Sequence, residues 1–187
     1  GCSTGYFGKF VKDYAGLQVD GIEISEDKAK AKNVLNNVYS FDLDSNDWPS
    51  RFTGNKYDYI FFGDVLEHLK NPLRVLEQSK KLLNKNGYIF ISIPNIAHIS
   101  TRLELINGSF QYDNTGILDN THLQYFTLDT FLEIISKAKL HAVKVDYSYN
   151  DFPDKIIKQL LNRAGLNPTA KFWRIADSKE ARAYQYK

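Results

Sequence analysis

The chain has 187 residues, 43% of them hydrophobic and 25% charged, which suits one soluble globular domain with its own core. Its 24 basic and 22 acidic residues leave a net charge of +2, too small and too evenly spread to point to nucleic acid, and no apolar run reaches the length of a membrane span. Cys2 is the only cysteine, which excludes an intrachain disulfide and a cysteine-rich zinc site and suits a reducing, cytoplasmic setting.

Residues Gly1 to Gly8, GCSTGYFG, read as a tight loop running into a first helix, Phe7 to Tyr14. Leu17 to Ile24 and Val38 to Leu43 are short β-prone stretches. Between them Asp27 to Leu35 reads as a helix opened by Ser25 as its N-cap. Tyr57 to Phe62 and Tyr88 to Ile93 are nearly continuous apolar runs, the pattern of strands buried on both faces. A helix over Asn71 to Leu83 separates them, with Pro72 near its start and Gly87 beyond its end. Residues 95–127 form a long connection, expected to be a substrate loop or lid. Leu128 to Leu140 reads as a helix capped by Thr127, followed by a strand (His141 to Tyr149), a helix (Pro153 to Ala164) and a last strand (Ala181 to Lys187). Such alternation predicts a doubly wound α/β domain with a mostly parallel sheet, spanning residues 1–187 as one unit.

In an open α/β sheet, ligands bind at the carboxyl ends of the strands. Gly1, Gly5 and Gly8, with the small Ser3, would let a ligand approach the backbone in the first turn. A strand is therefore expected before Gly1. With no methionine at its start or elsewhere, the chain is also expected to be part of a longer, multidomain protein. Glu23, Asp42 and Asp64 end three successive strands beside that loop. A carboxylate at the first position can take both ribose hydroxyls, and one at the second can accept from an exocyclic amine. Together they describe an adenosine pocket.

GCSTGYFG, GIEIS, FDLD, FGDVLEHL and SIPN, in this order and spacing, resemble the class I S-adenosylmethionine-dependent methyltransferases over residues 1–95. NTGILDNTHLQYFT (114–127) is similar to a bacterial subgroup associated with glycosyltransferases and polysaccharide modification. The resemblance implies a Rossmann-like, seven-stranded sheet with its final strand antiparallel, here without its first strand. It also implies S-adenosylmethionine as cofactor, held by Gly1, Ser3, Gly5, Glu23, Asp42, Leu43 and Asp64, with Ile24 and Gly63 adjoining. Ser3 departs from the glycine of many members. A dinucleotide-binding oxidoreductase is the weaker reading, because the glycines at 1, 5 and 8 do not follow G-x-G-x-x-G.

Within GDVLEHL, the spacing of Asp64, Glu67 and His68 places all three on one side of a helical turn. Two carboxylates and an imidazole suit Mg²⁺ or Mn²⁺, and His122 would add a ligand. The set resembles the E-x-x-E-H and distant histidine of small-RNA 2′-O-methyltransferases and the similar segment of quinone-biosynthesis O-methyltransferases, with Asp64 replacing a glutamate. Without a metal, Glu67 and His68 would line the cofactor pocket, and His68 and His122 would be the candidate catalytic bases. His98 reads as a satisfied loop histidine and His141 as structural.

The expected reaction is O-methylation of a sugar or another hydroxylated small molecule or glycan. Arg102, Tyr112, Asp113, Asp119, Asn120, Tyr125 and Phe126 are the candidates for contacting that acceptor. A non-catalytic S-adenosylmethionine-binding module is the alternative from a different functional class.

Overall fold

The structure, a computed structural model, describes residues 1–46, 48–52, 54–149 and 183–186. After the glycine loop come α1 (Tyr6–Ala15), β1 (Asp20–Ile22), α2 (Lys28–Ala31) and β2 (Asn37–Tyr39). A 3₁₀ turn at Trp48–Phe52 leads to β3 (Tyr57–Gly63), a second at Leu66–His68 follows, and then α3 (Pro72–Lys80) and β4 (Leu83–Pro94). α4 (Ile99–Ile106), α5 (Leu128–Lys137), β5 (Tyr147–Tyr149) and β6 (Ala183–Tyr186) complete the described elements.

Among the described residues the strands form two sheets, one of two strands and one of four. β1 and β2 pair in parallel, and the second sheet runs β3-β4-β6-β5. β3 and β4 are parallel, with Ile60 opposite Ile89 and Phe62 opposite Ile91. β6 runs antiparallel to both β4 and β5, as expected of the last strand. The Tyr57 hydroxyl connects the sheets, donating to Asp20 Oδ2 at 2.8 Å, and the Phe7 ring of α1 meets Phe61 of β3 edge-on at 5.3 Å. The strand expected before Gly1 and the helix expected over Pro153–Ala164 lie outside the described residues.

The core follows from strand alternation. Ile60, Phe62, Ile89, Ile91 and Ile93 face Val75 and Leu76 of α3 and Phe131 and Ile135 of α5. The opposite face is not buried, contrary to the expectation for these runs. Tyr59, Phe61, Tyr88 and Phe90 are each about half exposed, and Phe61 stacks on Phe90 at 4.8 Å. An apolar run fits a one-faced strand equally well when its outer residues are aromatic, because stacking hides part of each ring.

Local signals set several boundaries. Asn71 caps α3 by accepting the Arg74 N–H, and Pro72 opens the helix. That helix ends at Lys80, three residues short of expectation, because Leu82 and Leu83 are drawn into the core and the start of β4. Thr127 caps α5 as expected, in a reciprocal capping box with Thr130. Ser25 lies outside the N-cap of α2, where its hydroxyl accepts the Asp27 N–H. The 95–127 connection is partly helical: it contains α4, and short bridges join Asn95 to Phe126 and Asp113 to Asp119. His141 is exposed and precedes β5 rather than starting it.

Candidate active site

The glycine loop is shaped by close packing. Gly5 has φ 80° and ends the loop at the start of α1; an added Cβ would lie 2.8 Å from Val34 and 3.1 Å from the Ala31 backbone. Glu23, just after β1, holds the loop from the other side. Its Oε2 accepts the Ser3 N–H at 2.6 Å and its Oε1 accepts the Ser25 N–H at 2.9 Å. Burial pushes the Glu23 carboxyl up, but the backbone bonds from Ser25 and Ser3 outweigh it, and the group sits below its ordinary value.

Beside Glu23 is a cavity of about 180 Å³ lined by Gly1, Ile22, Glu23, Ile24, Phe41, Asp42, Leu43, Asp44, Val65, His68 and Leu69. Asp44 fixes its far wall: its carboxylate accepts the Lys70 N–H at 2.9 Å and the Asn71 N–H at 3.2 Å, tying the loop after β2 to the start of α3.

A second cavity, about 270 Å³, is lined by Asp64, Glu67, His68, Pro94, Gly116, Asp119 and His122. His68 lines both. Glu67 is 1% exposed, and neither carboxylate oxygen has a hydrogen-bond partner among the described residues. Burial, with the nearby charges of Asp64 and Asp119, pushes its carboxyl up to about 8. One ligand atom from each of Glu67, His68 and His122 lies within 4.8 Å of the others. Burial also lowers the His122 pKa, which keeps that ring neutral near pH 7. Asp64 adopts φ 51°, a left-handed conformation that costs a non-glycine residue energy, and its Oδ1 accepts from the Ser92 hydroxyl at 3.2 Å.

The sequence profile of the methyltransferase domain family matches residues 1–145. The chain belongs to the methyltransferase domain family. An S-adenosylmethionine-dependent methyltransferase from Archaeoglobus fulgidus superposes on the whole chain and on 80% of its own, at 20% identity and a TM-score of 0.65. Another from Mesorhizobium loti covers the whole chain and 85% of its own, at 14% identity and a TM-score of 0.61. The plantazolicin methyltransferase BamL, in complex with a triazolic desmethylPZN analog and SAH, covers the whole chain and 72% of its own, at 14% identity and a TM-score of 0.62. These likenesses show a shared Rossmann-like fold. No curated protein sequence matches the chain.

Within this methyltransferase domain, Gly1, Glu23, Ile24, Asp42 and Leu43 line one cavity together. Ser3 and Gly5 lie behind it and shape the loop, and Gly63 lines neither cavity. Asp64 belongs to the second cavity with Glu67, His68 and His122. His98 is buried and caps α4, its Nδ1 accepting the Ser100 N–H at 3.3 Å. Arg102 is committed to the Ala97 carbonyl. Sequence reasoning misses Asp44, whose signal is its place in FDLD, two residues after Asp42. The chain also carries the free cysteine Cys2, and no helix among the described residues is long and apolar enough to cross a membrane.

Proposed function

We propose that the domain transfers a methyl group from S-adenosylmethionine to a hydroxyl of a sugar or another polyhydroxylated acceptor, in the cytoplasm. The observation that carries this reading is the position of His68 on the boundary between two cavities. The first fits the adenosyl part of the donor. Each Glu23 oxygen has a second lone pair besides the one its backbone partner uses, so the carboxylate can still accept two ribose hydroxyls. At Gly1 a Cβ would come 3.2 Å from Glu23 Oε2, so a side chain there would crowd the carboxylate. BamL is a relative in fold with SAH in its structure.

When bound, the donor supplies an electrophilic methyl group, whose S–CH₃ bond breaks with the electron pair left on sulfur as the O–CH₃ bond forms. The hydroxyl proton passes to Nε2 of His68 or His122. Holding the two reactants in line contributes on the order of 7–11 kcal/mol to such a step.

A divalent cation is a second proposal for the same cavity. Glu67, His68 and His122 would hold Mg²⁺ or, better matched to two imidazoles, Mn²⁺. Glu67 favours it, because a buried carboxylate with two unpartnered oxygens is costly unless something meets it. Bound there, the ion would act as a Lewis acid toward the acceptor oxygen.

Calorimetric titration of the protein with S-adenosylhomocysteine and, separately, NAD tests the reading. Binding of the first alone is expected, and NAD binding alone would favour an oxidoreductase. S-adenosylhomocysteine binding without turnover on any hydroxylated acceptor would favour the non-catalytic module.

A further inference from the structure

Carbonyls from one loop face both imidazoles. His68 Nδ1 lies 3.2 Å from the Thr121 carbonyl oxygen and 3.2 Å from the Thr121 hydroxyl oxygen. His122 Nδ1 lies 3.1 Å from the Ile117 carbonyl oxygen. A carbonyl only accepts, so each Nδ1 must carry a hydrogen, and the lone pair of each neutral ring resides on Nε2.

The Thr121 hydroxyl is directed in the same sense. Its hydrogen goes to Asp119 Oδ1 at 2.6 Å, and the Thr121 N–H reaches that same oxygen at 2.8 Å. These two bonds hold the Asp119 carboxyl below its ordinary value. An ionised carboxylate cannot donate. The hydroxyl therefore turns a lone pair toward His68, adding a second acceptor to the carbonyl.

The loop is fastened where it meets the two histidines. Leu123 and Gln124 donate their N–H groups to the Glu67 carbonyl at 2.8 and 3.0 Å, beside His68 in the chain. Asn120 and Asp113 close the loop on itself, the Asn120 N–H meeting the Asp113 carbonyl at 2.9 Å.

We propose that residues 117–121 are a template that fixes His68 and His122 as Nδ1–H tautomers, with Thr121, steered by Asp119, as the positioning residue for His68. Both uses proposed for the cavity need this form, since a base and a metal ligand each require a free Nε2 lone pair. The inference deepens the role given to His68 and rests on that reading for its purpose. The tautomers themselves are read without donor, acceptor or metal, so the two ideas fail separately.

The test is long-range ¹H–¹⁵N correlation of the histidine rings in the metal-free protein at about pH 8.5, well above the ordinary imidazole pKa. His68→Gln and His122→Gln assign the signals. The parent is expected to show protonated Nδ1 and bare Nε2 in both rings. Thr121→Val keeps the carbonyl at position 121 and removes one of the two acceptors facing His68, so the His68 Nδ1–H resonance should shift while its tautomer persists, and His122, held by Ile117, should be unchanged. Thr121→Ser should keep the parent resonance, and Asp119→Ala, which removes the oxygen that takes the Thr121 hydrogen, should shift the His68 resonance alone. An Nε2–H tautomer at either ring in the parent overturns the proposal. So does Thr121→Val leaving His68 as it was. Should Thr121→Val unfold the loop, changing both rings, the contrast between Thr121→Ser and Asp119→Ala decides. A merely structural role would move both histidines together.

Discussion

The rings of His68 and His122 stand 4.8 Å apart, tilted by 69°, one from the turn after β3 and the other from the connection before α5. That pairing separates two kinds of loss. His122 lines only the acceptor-side cavity, so His122→Ala is expected to lower methyl transfer by roughly 10²–10⁴-fold, the usual worth of a positioned base. S-adenosylhomocysteine affinity should stay within a few-fold of the parent. His68→Ala should lower both, because His68 also borders the adenosyl cavity. Calorimetry, together with transfer of a labelled methyl group to a pool of sugars, reads the two effects.

Mn²⁺ should raise the melting temperature of the metal-free protein, since an ion that binds only the folded state stabilises it by mass action. At a concentration a hundred times the dissociation constant this amounts to about 2.7 kcal/mol. Glu67→Gln and His122→Ala should each remove the response, because each deletes one of three converging ligands. A melting temperature indifferent to Mn²⁺ and to a chelator would dispose of the cation.

Glu67 also predicts a pH dependence for the metal-free protein. Its carboxyl is pushed from 4.5 up to about 8 in the folded state, by burial first and then by Asp64 and Asp119. The folded chain therefore holds this proton more tightly than the unfolded one. The contribution of Glu67 to stability should be fully present below pH 4.5 and fall as pH rises toward 8, by at most about 1.4 kcal/mol per pH unit. Urea denaturation of the parent across that range should show the decline, and Glu67→Gln should flatten it.

Much of this arrangement was legible in the residues, because it depends on short-range chemistry. Thr127 and Asn71 announce their helices through side chains that accept nearby backbone N–H groups. Glu23 and Asp42 were found by their place after β-prone stretches, and they line one cavity. Spacing also groups Asp64 with Glu67 and His68, and the three line one cavity with His122. What spacing could not show is that Asp64, which follows β3 as an adenosine contact would, lines that cavity and not the one beside Glu23. Nor could it show the tie between Thr121 and His68, which depends on how a long connection folds back. Periodicity likewise missed the open face of β3 and β4. Tyr59 and Phe61 are as apolar in sequence as Ile60 and Phe62, and only tertiary packing decides which pair is covered.

Gly5→Ala should destabilise the domain by about 1–2 kcal/mol from the left-handed backbone alone. A further loss should come from the contact an added Cβ would make with the α2 backbone at Ala31. Because Gly5 leads the loop into α1, S-adenosylhomocysteine binding should weaken as well. Gly16→Ala is the control. It shares the positive φ but has nothing within 4 Å, so it should lose stability by the backbone cost only and keep its affinity. Urea denaturation and calorimetry on both variants make the comparison.

Glu23 ties the loop to β1, and its charge is what the tie requires. The backbone N–H groups of Ser25 and Ser3 hold the carboxylate below its ordinary value of 4.5, against the opposing pull of burial. A group with a depressed folded pKa stabilises above its unfolded value and loses that contribution as pH falls through the folded one. The protein should therefore lose stability as pH drops below 4.5, and Glu23→Gln should be less sensitive there. At neutral pH, Glu23→Gln keeps an acceptor for one N–H only. It should cost about 1 kcal/mol, the net worth of one hydrogen bond, because Ser3 and Ser25 are exposed and water can meet the freed N–H. It should also weaken S-adenosylhomocysteine at least tenfold, because an amide offers one oxygen where two ribose hydroxyls need two. A Glu23→Gln variant that binds as tightly as the parent would show that the ribose lies elsewhere, even if the loss of stability appears as expected.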